Sequence, residues 1–262
     1  MCPSSSLAAS QSHGLAALAL AYFGARTLPR TLVEVPLEYV ERAACWLRDR
    51  EHVSGDLIGL LGGSKGAELA LLSAATFPSL IGPVVAAAPS SVVWYGLELT
   101  PGHLAAAIPS TRSSWSLHGA PVPFVPASSA KPIATVQGLR LDPCYAPQLD
   151  DHTAVARAAI PIERSTGPLL LLSGRDDHLW PSTRVGEMLV SRMSRYGRAY
   201  DIEYVSYPLA GHARFTQPDP IAQPHPGVGL DLGGHPDGDA RAQTDGWHRI
   251  AEFFARASVT GT

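Results

Sequence analysis

The chain has 262 residues, 45% of them hydrophobic and 16% charged, with a formal net charge of −3. That length holds one large α/β domain or two small ones, and the apolar content excludes wholesale disorder. A charge near zero with scattered Lys and Arg leaves no footprint for nucleic acid and no cationic patch for an anionic membrane.

The longest apolar run, Gly14 to Ala25, is shorter than the roughly 18–20 residues a membrane helix needs. No Lys or Arg precedes it and Arg26 follows it, so it reads as a core strand and not as a secretion signal. Gly14–Phe23, closed by Gly24, is therefore taken as the first buried strand. Pro36 opens a helix with Leu37, Val40, Ala44 and Leu47 on one face. Ser54–Gly55 is a turn, and Leu57–Gly62 is a second buried strand. A helix is expected from about Lys65 to Thr76, stopped by Pro78. Pro83–Ala88 and Pro168–Ser173 are the third and fourth strands. Pro181 opens a helix with Val185, Met188, Leu189 and Tyr196 inward. Asp201–Tyr207 is the fifth strand. Thr244 is the expected N-cap of a last helix carrying Trp247, Ile250 and Phe254. Continuous apolar strands alternating with amphipathic helices predict an α/β fold, a mostly parallel sheet with helices on both faces. Residues 94–166 and 213–243 break the rhythm and read as long loop insertions in a single domain, 1–262.

Cys2, Cys45 and Cys144 lie far apart and match neither a metal-ligand spacing nor a disulfide framework, which favours a reducing, cytoplasmic compartment. Cys45 sits beside a helix's apolar face and reads as a structural thiol. His225 and His235 lie near Asp231, Asp237 and Asp239 without a standard ligand spacing, so they read as solvated loop residues.

Gly62-Gly63-Ser64-Lys65-Gly66 fits G-x-S-x-G. The letters alone are a weak signal, but here they end a strand and open a helix, as a nucleophile elbow requires. The turn would lift the Ser64 hydroxyl above the sheet edge and place the Lys65 backbone N–H at a helix N-terminus, ready to donate to an oxyanion. A serine nucleophile needs a base, and the base an orienting carboxylate. The fourth strand runs into Gly174-Arg175-Asp176-Asp177, and the fifth into Leu209-Ala210-Gly211-His212. Both sites follow strand C-termini, on the edge where open α/β sheets bind ligands. His212 is the candidate base. Either Asp176 or Asp177 can be its acid. The aromatic stretch from residue 94 to 166 suggests a substrate pocket, with Trp94 and Trp115 as candidates; the alternative is that these aromatics anchor a long loop.

LLGGSKGAELALL, SSVVWYGL, SSWSLHGAPVPFVP, LLLLSGRDDHLWPS, SYPLAGH and GGHPDGDARAQTDGWHRIAEFF resemble the acyl-CoA thioesterase / bile acid-CoA:amino acid N-acyltransferase C-terminal domain, an α/β-hydrolase branch near the dienelactone hydrolases. The resemblance runs from about Gly14 to Phe254. It implies Ser64 as nucleophile, Asp177 as acid and His212 as base. N-acyltransferase members carry cysteine at the nucleophile position, so serine here favours hydrolysis over transfer. The resemblance thus implies a serine hydrolase that cleaves acyl-CoA thioesters through an acyl-serine intermediate. The alternatives are a carboxylesterase or dienelactone-type hydrolase, an acyltransferase, or an inactive acyl-ligand-binding remnant. The expected partner is a small acyl-CoA or ester substrate, with no cofactor, metal, nucleic acid or membrane. The family's first hydrolase strands and their Gly-rich oxyanion loop have no counterpart in this sequence, and Met1–Ser12 looks like the helix after that loop. The domain therefore reads as N-terminally incomplete, with a gap or rearrangement expected between the strands at Gly14–Phe23 and Leu57–Gly62.

Overall fold

The computed structural model describes residues 14–100, 103–212, 215 and 229–259. Met1–Ser12, Cys2 and His225 lie outside them. In chain order the elements are β1 (Val35–Pro36), α1 (Glu38–Arg48), β2 (Ile58–Gly63), α2 (Lys65–Thr76), β3 (Ile81–Ala87), β4 (Tyr95–Thr100), β5 (His103–Ser113), β6 (Trp115–Leu117), β7 (Ala120–Pro121), β8 (Ile133–Thr135) and β9 (Gly138–Arg140). There follow α3 (Asp142–Tyr145), α4 (His152–Ala158), β10 (Leu169–Gly174), α5 (Ser182–Arg195), β11 (Ile202–Tyr207) and α6 (Pro236–Val259).

The main sheet has four strands in the order β11-β10-β3-β2, all parallel. Leu169, Leu171, Val84 and Ala86 point to one face, where they pack with buried residues of α1, α2 and α5. Leu170, Leu172, Val85 and Ala87 point to the other, against Ala242, Ile250 and Phe253 of α6. Covering both faces is what demands an unbroken Leu-Leu-Leu-Leu in β10. The chain is thus an α/β protein with helices on both sides of a parallel sheet.

Five sequence expectations need correction. Gly14–Phe23 forms no strand. Most of its residues are exposed, Leu18 at 43%, while Leu20, Tyr22 and Phe23 pack onto the core. A strand exists only through a ladder partner, and this run has none among the described residues; instead Tyr22 packs its ring on Trp115. β2, expected to be buried, is the outer strand of the sheet, and Leu61 is 48% exposed. An outer strand covered on one face alternates inward and outward, as β2 does. Residues 94–166 are not one long loop. They hold the antiparallel pairs β4–β5, β6–β7 and β8–β9 and the helices α3 and α4. Pro101–Gly102, a turn dipeptide between two runs able to pair, was the available signal.

The last helix begins at Pro236, well before Thr244. Proline at the first position and Asp237 and Asp239 in the first turn favour that start. Thr244 lies inside the helix, and its hydroxyl donates to the Ala240 carbonyl at 2.9 Å. Tyr196 is not inward: α5 ends at Arg195, and Tyr196 is 56% exposed beneath the Arg192 guanidinium. Gly197, at φ +72°, turns the chain away there. The two ends of α6 touch different parts of the fold. Asp239 accepts from the Gly211 N–H at 2.9 Å, and Phe254 lies against Gly59 of β2, where a Cβ would come within 2.7 Å of its ring. No helix among the described residues is long and apolar enough to cross a membrane.

Candidate active site

β2 hands the chain to α2 in one step. Ser64 makes the turn at φ 56°, ψ −123°, backbone that a non-glycine residue adopts only under constraint. The Ser64 N–H donates to the Ala87 carbonyl at 2.8 Å, and its own carbonyl accepts from Ala67 and Glu68. The turn is so tight that a Cβ on Gly62 would overlap the Gly66 carbonyl. Only glycine fits there. Ser64 is left half-exposed at the C-terminal edge of the sheet, with Lys65 as the first residue of α2. First-turn N–H groups have no partner within their helix.

β10 and β11 end on the same edge. His212 is buried, and its Nε2 lies 2.7 Å from Ser64 Oγ. Its Nδ1 lies 2.8 and 3.0 Å from the two oxygens of Asp177. The same Asp177 carboxylate accepts from the Leu179 and Trp180 N–H groups, at 2.9 and 3.2 Å. The His212 N–H donates to the Leu232 carbonyl, which fixes the base loop from behind. A hydroxyl bonded to an imidazole that a carboxylate backs is the arrangement that lets a serine give up its proton at neutral pH. Asp176 goes elsewhere: it meets His178 Nε2 at 3.1 Å and accepts from the Gly234 N–H at 2.9 Å. Of the two aspartates, Asp177 is therefore the partner of His212.

Trp94 and Trp115 do not line an open pocket, and their reading as substrate-binding residues is corrected. Trp94 is 1% exposed and Trp115 is fully buried. Trp115 donates its indole N–H to Glu68 at 2.7 Å, and Trp94 meets the Tyr145 ring edge-on at 5.0 Å. Their polar and aromatic partners are interior, so both are core residues of the insertion. A cavity of about 350 Å³ lies behind Asp177, bounded by Arg140, Arg175, Arg184 and His178 but also by Asp142, Asp176 and Glu187; Ser64 and His212 are not among its walls. Arg140 is already paired with Asp142 and Arg184 with Asp150.

Three residues escaped the sequence reading. Glu68 is wholly buried under the elbow and accepts from Lys65, Trp94 and Trp115. Its signal was a carboxylate in a helix that is otherwise small and apolar. Burial pushes the Glu68 carboxyl up and the Lys65 ammonium down, while their contact opposes both shifts. Trp180, three residues after Asp177, walls the imidazole. The Tyr22 hydroxyl is the nearest group to the open face of Gly66, 3.8 Å from where a Cβ would stand.

A parallel sheet, a strained serine between strand and helix, and an aspartate and a histidine that follow β10 and β11 on the same sheet edge together define an α/β-hydrolase. The BAAT / acyl-CoA thioester hydrolase C-terminal family matches residues 35–259, and the chain belongs to that family. It is 32% identical over 253 residues to acyl-coenzyme A thioesterase 6 of Mus musculus, covering 93% of this chain and 54% of that protein. Mitochondrial acyl-coenzyme A thioesterase 2 of Mus musculus is 31% identical over 247 residues, covering 92% and 49%. The chain thus spans about half the length of the curated relatives it matches. A putative dienelactone hydrolase from Klebsiella pneumoniae subsp. pneumoniae MGH 78578 aligns with a TM-score of 0.40 and 16% identity, over 84% of this chain and 60% of that one.

Proposed function

We propose that this chain is a serine hydrolase of acyl-CoA thioesters whose residues form one α/β-hydrolase domain. The observation that carries the reading is His212 bridging Ser64 Oγ at 2.7 Å and Asp177 at 2.8 Å. Ser64 attacks the thioester carbonyl while His212 takes its proton. Asp177 holds the imidazole in the tautomer that presents Nε2 to Ser64 and stabilises its charged form. The Lys65 N–H donates to the oxyanion. The tetrahedral intermediate collapses by expelling the coenzyme A sulfur, a good leaving group because a thiol's pKa lies well below an alcohol's. The departing sulfur takes the proton from His212, which leaves the imidazole neutral again. Water, deprotonated by His212, then cleaves the acyl-serine ester and restores the serine. The relatives' activity as acyl-coenzyme A thioesterases supports coenzyme A thioesters as the substrate class. The setting proposed with it is cytoplasmic, and the free thiols of Cys45 and Cys144 support its reducing character.

The test is release of free thiol from acyl-CoA esters by the purified chain. Turnover is expected, and expected to vanish in Ser64→Ala. Turnover that survives in Ser64→Ala would sink the assignment, and faster cleavage of simple esters or lactones would move the substrate class.

A further inference from the structure

Lys65 follows the candidate nucleophile and carries a positive charge, while acyl-CoA is polyanionic. A charge contact between them would be the simple reading. The side chain is turned the other way. Its ammonium lies 3.0 and 3.3 Å from the two Glu68 oxygens, 2.8 Å from Ser114 Oγ and 3.3 Å from the Tyr95 carbonyl. An ammonium has three N–H donors, so four inward acceptors leave none for a phosphate. Glu68 is equally committed: besides Lys65 it accepts from the Trp94 N–H at 3.1 Å and the Trp115 indole at 2.7 Å.

These partners are not scattered. Trp94 and Tyr95 are where the chain leaves for the β4–β5 hairpin, and Ser114 and Trp115 are where it returns. Lys65 and Glu68 thus fasten both feet of that hairpin to the first turn of α2, the turn that begins at Ser64. Well-packed apolar side chains would fill such a space without desolvating two charges. What the pair adds is direction, in bonds to specific groups on both sides.

We infer that Lys65 and Glu68 act as one positioning unit, which holds Ser64 and the Lys65 backbone N–H in register with the reacting carbonyl, and that the Lys65 side chain takes no part in binding the coenzyme A phosphates. This inference rests on the serine-hydrolase reading above.

The test is a double-mutant cycle of Lys65→Met, Glu68→Gln and the double variant. It is read on an acyl-CoA and on the same acyl group carried by N-acetylcysteamine, which has no phosphate. Each single variant is expected to lower kcat by about tenfold to a hundredfold on both substrates, the scale of a small misplacement of reacting groups. KM should stay within about twofold. The double variant should be no slower than the worse single variant, within about threefold, because coupled residues do not add. A KM rise confined to the CoA substrate would overturn the inference, and so would losses that multiply. If Glu68→Gln does not fold, Glu68→Asp keeps the charge and withdraws it by one methylene; unchanged kcat there would also overturn it. The same cycle read as the rate of Ser64 labelling by a fluorophosphonate needs no thioester. The positioning inference therefore stays testable, by equal loss in the singles and the double, even where the thioesterase reading fails.

Discussion

Trp180 meets the His212 imidazole edge-on, with ring centroids 5.4 Å apart and planes at 82°. The Trp180 N–H also donates to the carboxylate that holds that imidazole, at 3.2 Å. One short loop after β10 therefore supplies both the charge behind the base and the apolar wall beside it. An apolar wall keeps water off the Asp177–His212 contact, where a lower local dielectric strengthens the hydrogen bond.

The two neighbouring aspartates make a controlled comparison. Asp177→Asn keeps the side-chain shape but offers His212 the wrong donor pattern, so kcat/KM should fall by about three to four orders of magnitude. Asp176→Asn changes a contact to His178 and to a loop N–H, and should stay within about tenfold of wild type. Thioester turnover of the two purified variants decides it, and equal losses would place the acid wrongly.

Gly62 and Gly63 differ by one position and should differ sharply in tolerance. A Cβ at Gly62 would overlap the Gly66 carbonyl, whereas at Gly63 it would come no nearer than 4.0 Å to the Ala87 carbonyl oxygen. Gly62→Ala should cost at least about 1–3 kcal/mol in denaturant unfolding and displace Ser64. Gly63→Ala should cost less than about 1 kcal/mol. Similar midpoints for the two would contradict the geometry of the turn.

Thr244 distinguishes a cap from a helix interior. Loss of a capping threonine typically costs about 1 kcal/mol. Thr244 is exposed inside α6, with its hydroxyl bonded back to Ala240. Thr244→Ala should therefore be neutral or stabilising by a few tenths of a kcal/mol, since alanine is the better helix former. A shift in the unfolding midpoint toward lower denaturant would argue for a helix start at that residue.

Glu163 gives a pH dependence with a definite sign. Two hydrogen bonds from the Arg192 guanidinium, one of them 2.7 Å long, hold its carboxyl below the usual range. A folded pKa below the unfolded one stabilises the protein above the ordinary carboxylate value and loses that stability as pH falls through the folded value. Glu163→Gln should cost about 1 kcal/mol at pH 7 and progressively less as the pH drops below about 4. Unfolding curves at neutral and acid pH check it, and an equal difference at both would remove the ion pair from the account.

Much of this molecule was legible from local pattern. Leu-Leu-Leu-Leu reads as a strand covered on both faces because Pro168 and Gly174 bound it to a length too short for a buried helix. The run from Gly62 to Gly66 reads as a tight turn because G-x-S-x-G there ends a strand and opens a helix, and Gly62 is the position where a side chain would collide. What escaped depends on partners far away in sequence. Whether Gly14–Phe23 is a strand is decided by a neighbour to pair with. Trp94 and Trp115 carry the same letters whether they line a pocket or hold a hairpin down, and only Glu68, met from the other side, distinguishes the two. The start of α6 was hidden because Gly238 and Gly246 dilute its periodicity, although Pro236 and the acidic first turn were in plain view.

The two contacts of α6 have a mechanical consequence. Its 24 residues make a rod of about 36 Å. One end is hydrogen-bonded to the loop that carries His212, and toward the other end Phe254 lies on the strand that ends in Ser64. The helix is a strut across the back of the sheet, and the span between proton acceptor and hydroxyl is set by a member stiff along its length. The two loops are thereby gauged against each other from the face of the sheet that α6 covers.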